Sequence, residues 1–552
     1  MRKSLVSLVF AGIATAAYAA YPAHPKTSPD ITGADISACT KAISDNAFEG
    51  RGPGTQNGEA AAAWIADELK ALGIAPANKG SYFQPVPAVS LTLDANQSHF
   101  AFTTPKGSLM PKFADEAVYW TPQFESPDVT VSKSDLVFVG YGVVAPEYHW
   151  NDYAGIDVKG KTVVILINDP GNEDAKPDAK FFKGKAMTYY GRWVYKYEEA
   201  ARHGAAAAII VHETIPAAYG WQVVRTSNSG SKLWLEAKDS NKSRVPIQGW
   251  ITLNVAKTLF AQAGLDYAAQ KAAANKPGFK PVAMKGESLS VSAHSSIKHL
   301  MTRNVVGVLK GTKHPDDVVI FSGHWDHLGR NDALPGADKI YNGAVDNGTG
   351  VAMTLELAEK FAHEKRTDRS VAFAFWTLEE QGLLGSEYFG EHPLWPAKNI
   401  VGVFNVDADG PAPHSHDMEA PGTGQSEMED VLKAALAQQH RVLSPDREPE
   451  KGHFFRSDHF SLAKQGIPAI SPGGGRDLLQ GGIAAGQKLS DDYVDHRYHQ
   501  PGDEWRADWN MERPTDDTNA VYLAGMALAN SEQWPNWYKD SEFRAMRDKQ
   551  RP

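Results

Sequence analysis

Of the 552 residues only one is cysteine, Cys39. An intrachain disulfide is excluded, as is any zinc knuckle built on thiolates, so a metal site here has to draw on His, Asp and Glu. A surplus of basic charge is also missing: 56 Lys+Arg stand against 66 Asp+Glu, a formal charge of -10. Without a positive field a phosphate backbone has nothing to hold it, and nucleic acid is set aside as a partner. A membrane-length apolar run is absent too. The stretch Leu5 to Ala17 is about 13 residues where a span needs roughly 20.

That short stretch follows Arg2 and Lys3 and precedes the small-x-small triplet Ala17-Tyr18-Ala19, the three-part layout of a cleaved secretory signal over residues 1–19. Export to the periplasm or the cell exterior is expected, without a stable membrane anchor. No cysteine follows the cleavage site, so a lipid anchor is not indicated, and losing Arg2 and Lys3 takes the formal charge from -10 to -12. What remains, 42% hydrophobic and 22% charged overall, is enough for real cores, roughly two to four domains by length.

Three regions follow the signal. Residues 20–92 carry an amphipathic helix over 58–72, with Ala61, Ile65, Leu69 and Leu72 on one face and Gly73 as its stop, just after the Gly/Pro-punctuated loop EGRGPGT (Glu49 to Thr55). Residues 93–292 change to short β-rich runs, such as Leu136 to Val139, Val163 to Ile167 and Ala205 to Val211, with a helical piece over Arg192 to His203; this predicts a smaller inserted β-rich α/β domain. Residues 293–552 alternate apolar strand-like runs (Asn304 to Leu309, Val318 to Ser322, Val371 to Thr377, Ile400 to Val406, Ile467 to Ile470) with helical patterns (Gly350 to His363, Glu427 to Gln439, Thr518 to Trp534). Apolar strands without polar alternation, spaced by helices, predict an α/β fold with a mostly parallel sheet flanked by helices, whose chemistry sits beyond the carboxyl ends of the strands.

GIDVKGKT (Gly155 to Thr162) spells a phosphate-binding loop. Such a loop has to follow a strand and open a helix, whereas these glycines lead into a strand, so a plain turn is expected. HEKRT (His363 to Thr367) lacks the second histidine of the helix-borne zinc protease motif. Ser457, Asp458 and His459 are consecutive and cannot converge as a serine triad; they read as pocket or supporting residues. Phe454 and Phe455 beside them suit either a pocket wall or core.

Other motifs hold together. GHWDHLG places His324 directly after an apolar run, with Asp326 two residues on, a carboxylate suited to fixing the histidine tautomer. NGAVDNGTG sets Asp346 in a small-residue loop before a helix, where a carboxylate can approach metal with both oxygens; helix capping by Asp346 or Asn347 is the plainer alternative. WTLEEQGLLGS delivers Glu379 and Glu380 just past a strand, a costly pair unless a cation or proton offsets them. NVDADG ends a strand with Asp407, followed by Asp409, and YHQPGDEW supplies His499 after Tyr498. Together they form a census of oxygen and nitrogen ligands suited to two zinc ions.

These blocks, with FEGRGPGT and FRSDHFSLAKQGIP (Phe455 to Pro468), run in an order that resembles the co-catalytic zinc exopeptidases typified by secreted bacterial leucyl aminopeptidases and aminopeptidase Y, metallopeptidase family twenty-eight. The resemblance implies a zinc exopeptidase fold, phosphorylase/hydrolase-like, holding two Zn2+ per chain. It implies that Asp346 bridges the ions, that His324 and Asp407 complete one site and Glu380 and His499 the other. Glu379 then falls at the general base and Asp326 at the supporting carboxylate. The segment from Leu136 to about Ile251 looks like the protease-associated domain that many members carry. The expected activity is release of N-terminal residues from peptide substrates, with Tyr498 as a candidate donor to the oxyanion. A carboxypeptidase or dipeptidase using the same metal chemistry, and an idle binding protein, are the rivals.

Overall fold

The computed structural model describes residues 21–334 and 336–551. The expected signal, residues 1–19, lies outside the described residues. No described helix is long and apolar enough to cross a membrane.

Four parallel strands build the part of the sheet that matters for function: Ala469–Ile470, Ile400–Asn405, His314–His324 and Arg369–Trp376, in that spatial order. Every residue of Arg369–Trp376 and of Ile400–Asn405 is buried, as their unbroken apolar runs require of strands covered on both faces. Register aligns their ends. Ser322 sits beside Asn405, and His324 beside Trp376, so the residues that follow each strand emerge along one edge. Helices Gly350–His363 and Glu512–Ala529 pack on this sheet within one core containing Phe321, Phe373, Phe404, Val351 and Val521. Phe321 stacks on Phe373 and Phe404 with ring centroids 5.8 and 5.6 Å apart. Gly525 lets helix Glu512–Ala529 approach: a Cβ there would stand 2.1 Å from Phe321 Cζ.

Beyond Arg369–Trp376 the sheet turns antiparallel through Val282–Leu309 and then Phe83–Leu93. The first of these is a single strand of 28 residues. The patterning predicted only its last stretch, Asn304 to Leu309, because the upstream part alternates buried with exposed residues and includes Gly286. Its first half pairs instead with Asp128–Phe138 and His99–Thr104. There a second sheet runs through Thr162–Leu166, Ala207–His212 and Ile247–Thr252, all parallel neighbours, with Ala117–Trp120 antiparallel at the edge. Its core is drawn from residues between Phe100 and Ala293. One strand therefore serves both sheets.

GIDVKGKT forms a turn, with Gly160 at φ 70°, that leads into Thr162–Leu166. Helix Glu512–Ala529 begins six residues before the periodic run that predicted it, since Pro514 in its first turn costs no hydrogen bond there. The helix after EGRGPGT, Gln56–Ala71, is capped by Thr55, whose hydroxyl accepts from Gly58 N, an interaction typically worth about 1 kcal/mol.

Candidate metal centre

His324 is the last residue of its strand and is fully enclosed. Its Nδ1–H donates to the backbone carbonyl of Asp326 at 3.1 Å, which leaves the Nε2 lone pair facing inward. The Asp326 carboxylate was expected to hold this histidine. Its Oδ1 lies 3.9 Å from Nδ1 and instead accepts the backbone N–H of Glu379 at 3.1 Å. The main-chain oxygen of Asp326, closer to Nδ1 than its carboxylate, orients the ring. Burial pushes the Asp326 carboxyl up to about 7.

Asp346 hangs in the loop Gly343 to Thr349, after a glycine at φ 55° whose Cβ would stand 2.2 Å from Asp346 O and 2.5 Å from the His327 ring. The Asp346–Asn347 peptide is cis. The loop is held from three sides. Asp503 accepts from Val345 N and Asp346 N, both at 3.0 Å. Arg51, buried in EGRGPGT, donates to the carbonyls of Asn342 (2.6 Å), Gly343 (2.8 Å) and Trp325 (2.8 Å), tying this loop to the end of the His324 strand. Asn347 Oδ1 accepts from Gly350 N and Ala408 N, each at 3.0 Å. Asn347 thus serves the start of the helix, and the Asp346 carboxylate is free for other work.

Both of its oxygens meet a histidine. Asp346 Oδ1 is 3.3 Å from His324 Nε2, and Oδ2 is 3.2 Å from His499 Nε2. Asp407 Oδ1 is also 3.3 Å from His324 Nε2, while Glu380 Oε2 is 3.0 Å from His499 Nε2. Two ligand groups result, with Asp346 common to both. His324, Asp346 and Asp407 present atoms all within 4.8 Å of one another, and so do His327, Asp346 and Glu380. His327 went unread in the sequence, although it closes the same HWDH block. It is buried, its Nδ1 bonds Glu380 Oε1, and its Nε2 has no partner among the described residues.

Asp407 is braced by a polar chain: Ser322 Oγ donates to Asn405 Oδ1 (2.8 Å), Asn405 Nδ2 to Ser457 Oγ (2.7 Å), and Ser457 Oγ to Asp407 Oδ2 (2.5 Å). Ser457 thus supports a carboxylate. Its neighbours Asp458 and His459 are buried without hydrogen-bond partners among the described residues, and burial pulls the His459 imidazole down to about 3. Asp409 points away, toward Arg513 at 3.4 Å. Phe454 and Phe455 pack with Trp537 and Phe543.

The paired glutamates differ in environment. Burial raises the carboxyls of both, with Asp346 adding to the push on Glu380, but His327 and His499 overcome this at Glu380 and hold it at about 2. Glu379 has no such pair of imidazoles; burial, with Asp407 and Glu380 nearby, holds it well above the usual range despite His324. Its Oε2 lies 3.9 Å from His324 Nε2. Tyr498 stacks on His499 with ring centroids 3.9 Å apart. It lines, with Glu379, Glu380 and His499, a cavity of about 1030 Å³ whose other walls include Arg192, Trp193 and Trp234 of the segment 93–292.

Three imidazoles, of His324, His327 and His499, and the carboxylates of Asp346, Asp407 and Glu380 form a donor set that fits zinc. Residues 304–523 match the sequence profile of peptidase family M28. A probable zinc metalloprotease of Pyricularia oryzae is 37% identical over 120 residues, 22% of this chain and 23% of that one. Aminopeptidase NAALADL1 of Mus musculus is 32% identical over 139 residues, 24% of this chain and 17% of that one. A glutamate carboxypeptidase 2 homolog of Caenorhabditis elegans is 28% identical over 214 residues, 36% of this chain and 24% of that one. The chain spans no more than about a third of the length of the curated relatives it matches. Among solved structures, an aminopeptidase from Aneurinibacillus sp. strain AM-1 superposes with a TM-score of 0.49 at 21% identity, over 91% of this chain and 95% of that one. The matched residues 304–523 carry His324, Asp346, Glu379, Glu380, Asp407 and His499, so it is this part of the chain that is similar to peptidase family M28.

Proposed function

We propose that this protein is an exported zinc aminopeptidase with two ions per chain, releasing N-terminal residues from peptides in the periplasm or outside the cell. The observation that carries the reading is the placement of the Asp346 oxygens, each within 3.3 Å of a different histidine Nε2. His324, Asp346 and Asp407 would hold one ion, and Asp346, Glu380 and His499 the other. Bound there, the ions would supply Lewis-acid chemistry and a nucleophile at neutral pH.

The chain's own residues divide the remaining work. Glu379 is the proton carrier: its ionised carboxylate is the base, and the bond from its N–H to Asp326 fixes the backbone from which it reaches into the cavity. It takes the proton of the attacking water and returns it to the departing amine, an exchange typically worth roughly 100- to 10,000-fold in rate. Glu380, tied to His327 and His499, stays ionised and is unsuited to that role. Tyr498, stacked on His499, brings a phenol donor toward the developing oxyanion. The segment 93–292, in which Leu136 to about Ile251 is read as a protease-associated domain, supplies Arg192, Trp193 and Trp234 to the wall of the substrate cavity.

The relatives include both an aminopeptidase and a glutamate carboxypeptidase homolog. Carboxypeptidase or dipeptidase polarity is favoured by one observation, two arginines in the cavity without acidic partners. A panel of free and N-blocked peptides, assayed on the zinc-loaded protein, decides between them. Release from free but not blocked N-termini is expected; cleavage of the blocked set would reverse the polarity. An idle binding protein would hold no stoichiometric zinc and cleave neither set.

A further inference from the structure

Six cationic side chains line the cavity that holds Glu379 and His499: Arg192, Arg202, Lys232, Arg244, Arg456 and Lys464. Most are committed. Arg202 pairs with Glu199 at 2.5 Å, Arg244 with Glu387 at 3.7 Å and Lys464 with Glu198 at 3.7 Å. Lys232 donates to Asn228 Oδ1 at 2.7 Å. Arg192 and Arg456 have no acidic partner among the described residues. Arg192 makes no side-chain hydrogen bond to them, and its Nε is enclosed without a partner. Arg456 donates only one Nη2 bond, to the carbonyl of Lys451 at 2.7 Å.

These two guanidiniums come from different parts of the chain, Arg192 from the start of helix Trp193–Arg202 in the inserted segment and Arg456 from the turn before Ser457. Both line the one cavity, and burial first, with Arg456 adding to it, pulls Arg192 down to about 10 against the opposing Tyr219 and Tyr189 phenols. Folding has therefore placed two like charges in one cavity, Arg456 exposed and Arg192 half-buried with its Nε enclosed and unmade, which is a cost with no structural return inside the protein. A planar fork of N–H donors matches a carboxylate in two-bond geometry, and a second guanidinium completes its remaining lone pairs.

We propose that Arg192 and Arg456 together form a carboxylate site within the substrate cavity, which takes the free C-terminal α-carboxylate of a short peptide whose scissile bond lies at Glu379. This rests on the peptidase reading above and narrows it to short peptides. With one end of the substrate at the metal ligands and the other at the arginines, the cavity measures length. Amidated and long substrates lose the second anchor.

The test compares a tripeptide acid, its C-terminal amide, and an amide carrying an aspartate side chain, with the zinc-loaded full-length protein and its Arg192→Gln, Arg192→Lys and Arg456→Gln variants. The amide is expected to raise KM by roughly 10- to 100-fold, the contribution of a charge-assisted pair, with kcat little changed. Either glutamine variant should erase that difference, and Arg192→Lys should restore part of it, since a point charge lacks the fork. Equal KM for acid and amide in the native protein overturns the proposal. A difference that persists in both glutamine variants does so too, and an aspartate side chain that substitutes fully for the α-carboxylate overturns the assignment to the C-terminus. Failure to cleave any substrate would instead defeat the peptidase reading, and calorimetric binding of acid against amide to the Glu379→Gln protein then decides the carboxylate site on its own.

Discussion

Asp503 accepts the backbone N–H of Asp346 at 3.0 Å. Its other oxygen accepts Val345 N–H at the same distance, so a buried carboxylate sets the backbone from which the Asp346 carboxylate projects. Orientation is supplied through the main chain, and both Asp346 oxygens are left to face His324 and His499.

Replacing Asp503 with Asn puts an amide donor where one of those N–H groups needs an acceptor. Zinc affinity is expected to fall by about 10- to 100-fold, the usual effect of losing a residue that orients a ligand. Competition titration against a zinc-sensitive chelating dye measures it. Unchanged affinity would remove Asp503 from that role.

Glu379→Gln keeps the size of the side chain and the bond from its N–H to Asp326 but cannot carry a proton. The variant should retain its metal and lose roughly 100- to 10,000-fold in kcat. Zinc content and turnover measured on one preparation check both halves, and near-native turnover would move the proton carrier elsewhere.

Glu287 is buried in the long strand, with neither carboxylate oxygen hydrogen-bonded among the described residues, and burial pushes it up to about 8. Its ordinary value is 4.5. Between these values the folded chain keeps a proton that the unfolded chain has released, so stability drains away as pH rises through this window. Glu287→Gln should flatten that part of the curve, stabilising the protein at pH 8 and leaving it unaffected at pH 4. Melting temperatures across the range test this, and parallel curves for the two proteins would contradict it.

Gly525→Ala forces a methyl group to within 2.1 Å of Phe321 Cζ, in a ring stack that Phe373 and Phe404 keep from moving. Overpacking of this kind costs about 1–3 kcal/mol. A lower denaturation midpoint is expected, without any change in zinc affinity.

The side chains that converge around Asp346 were legible in the sequence because each follows an apolar strand or sits in a glycine-rich loop, where a His, Asp or Glu has few structural reasons to be. The parallel sheet was legible for the same reason: unbroken apolar runs have to be covered on both faces. What escaped notice works through the backbone. Arg51 acts on main-chain carbonyls and Asp503 on main-chain amides, and no residue type at any spacing announces such a partner. His327 had a signal, its place in HWDH, but a second histidine three positions on looks like a surface residue until the fold buries it against Glu380. The 28-residue strand was hidden by its own change of surroundings. One part of it is buried on both faces, another on alternate residues only, and one sequence pattern cannot describe both.

The most direct measurement is anomalous diffraction at the zinc edge from crystals grown with the metal. Two peaks are expected, one against His324 and Asp407 and one against Glu380 and His499, with Asp346 touching both. A single peak, or density away from Asp346, would contradict the paired-ion centre.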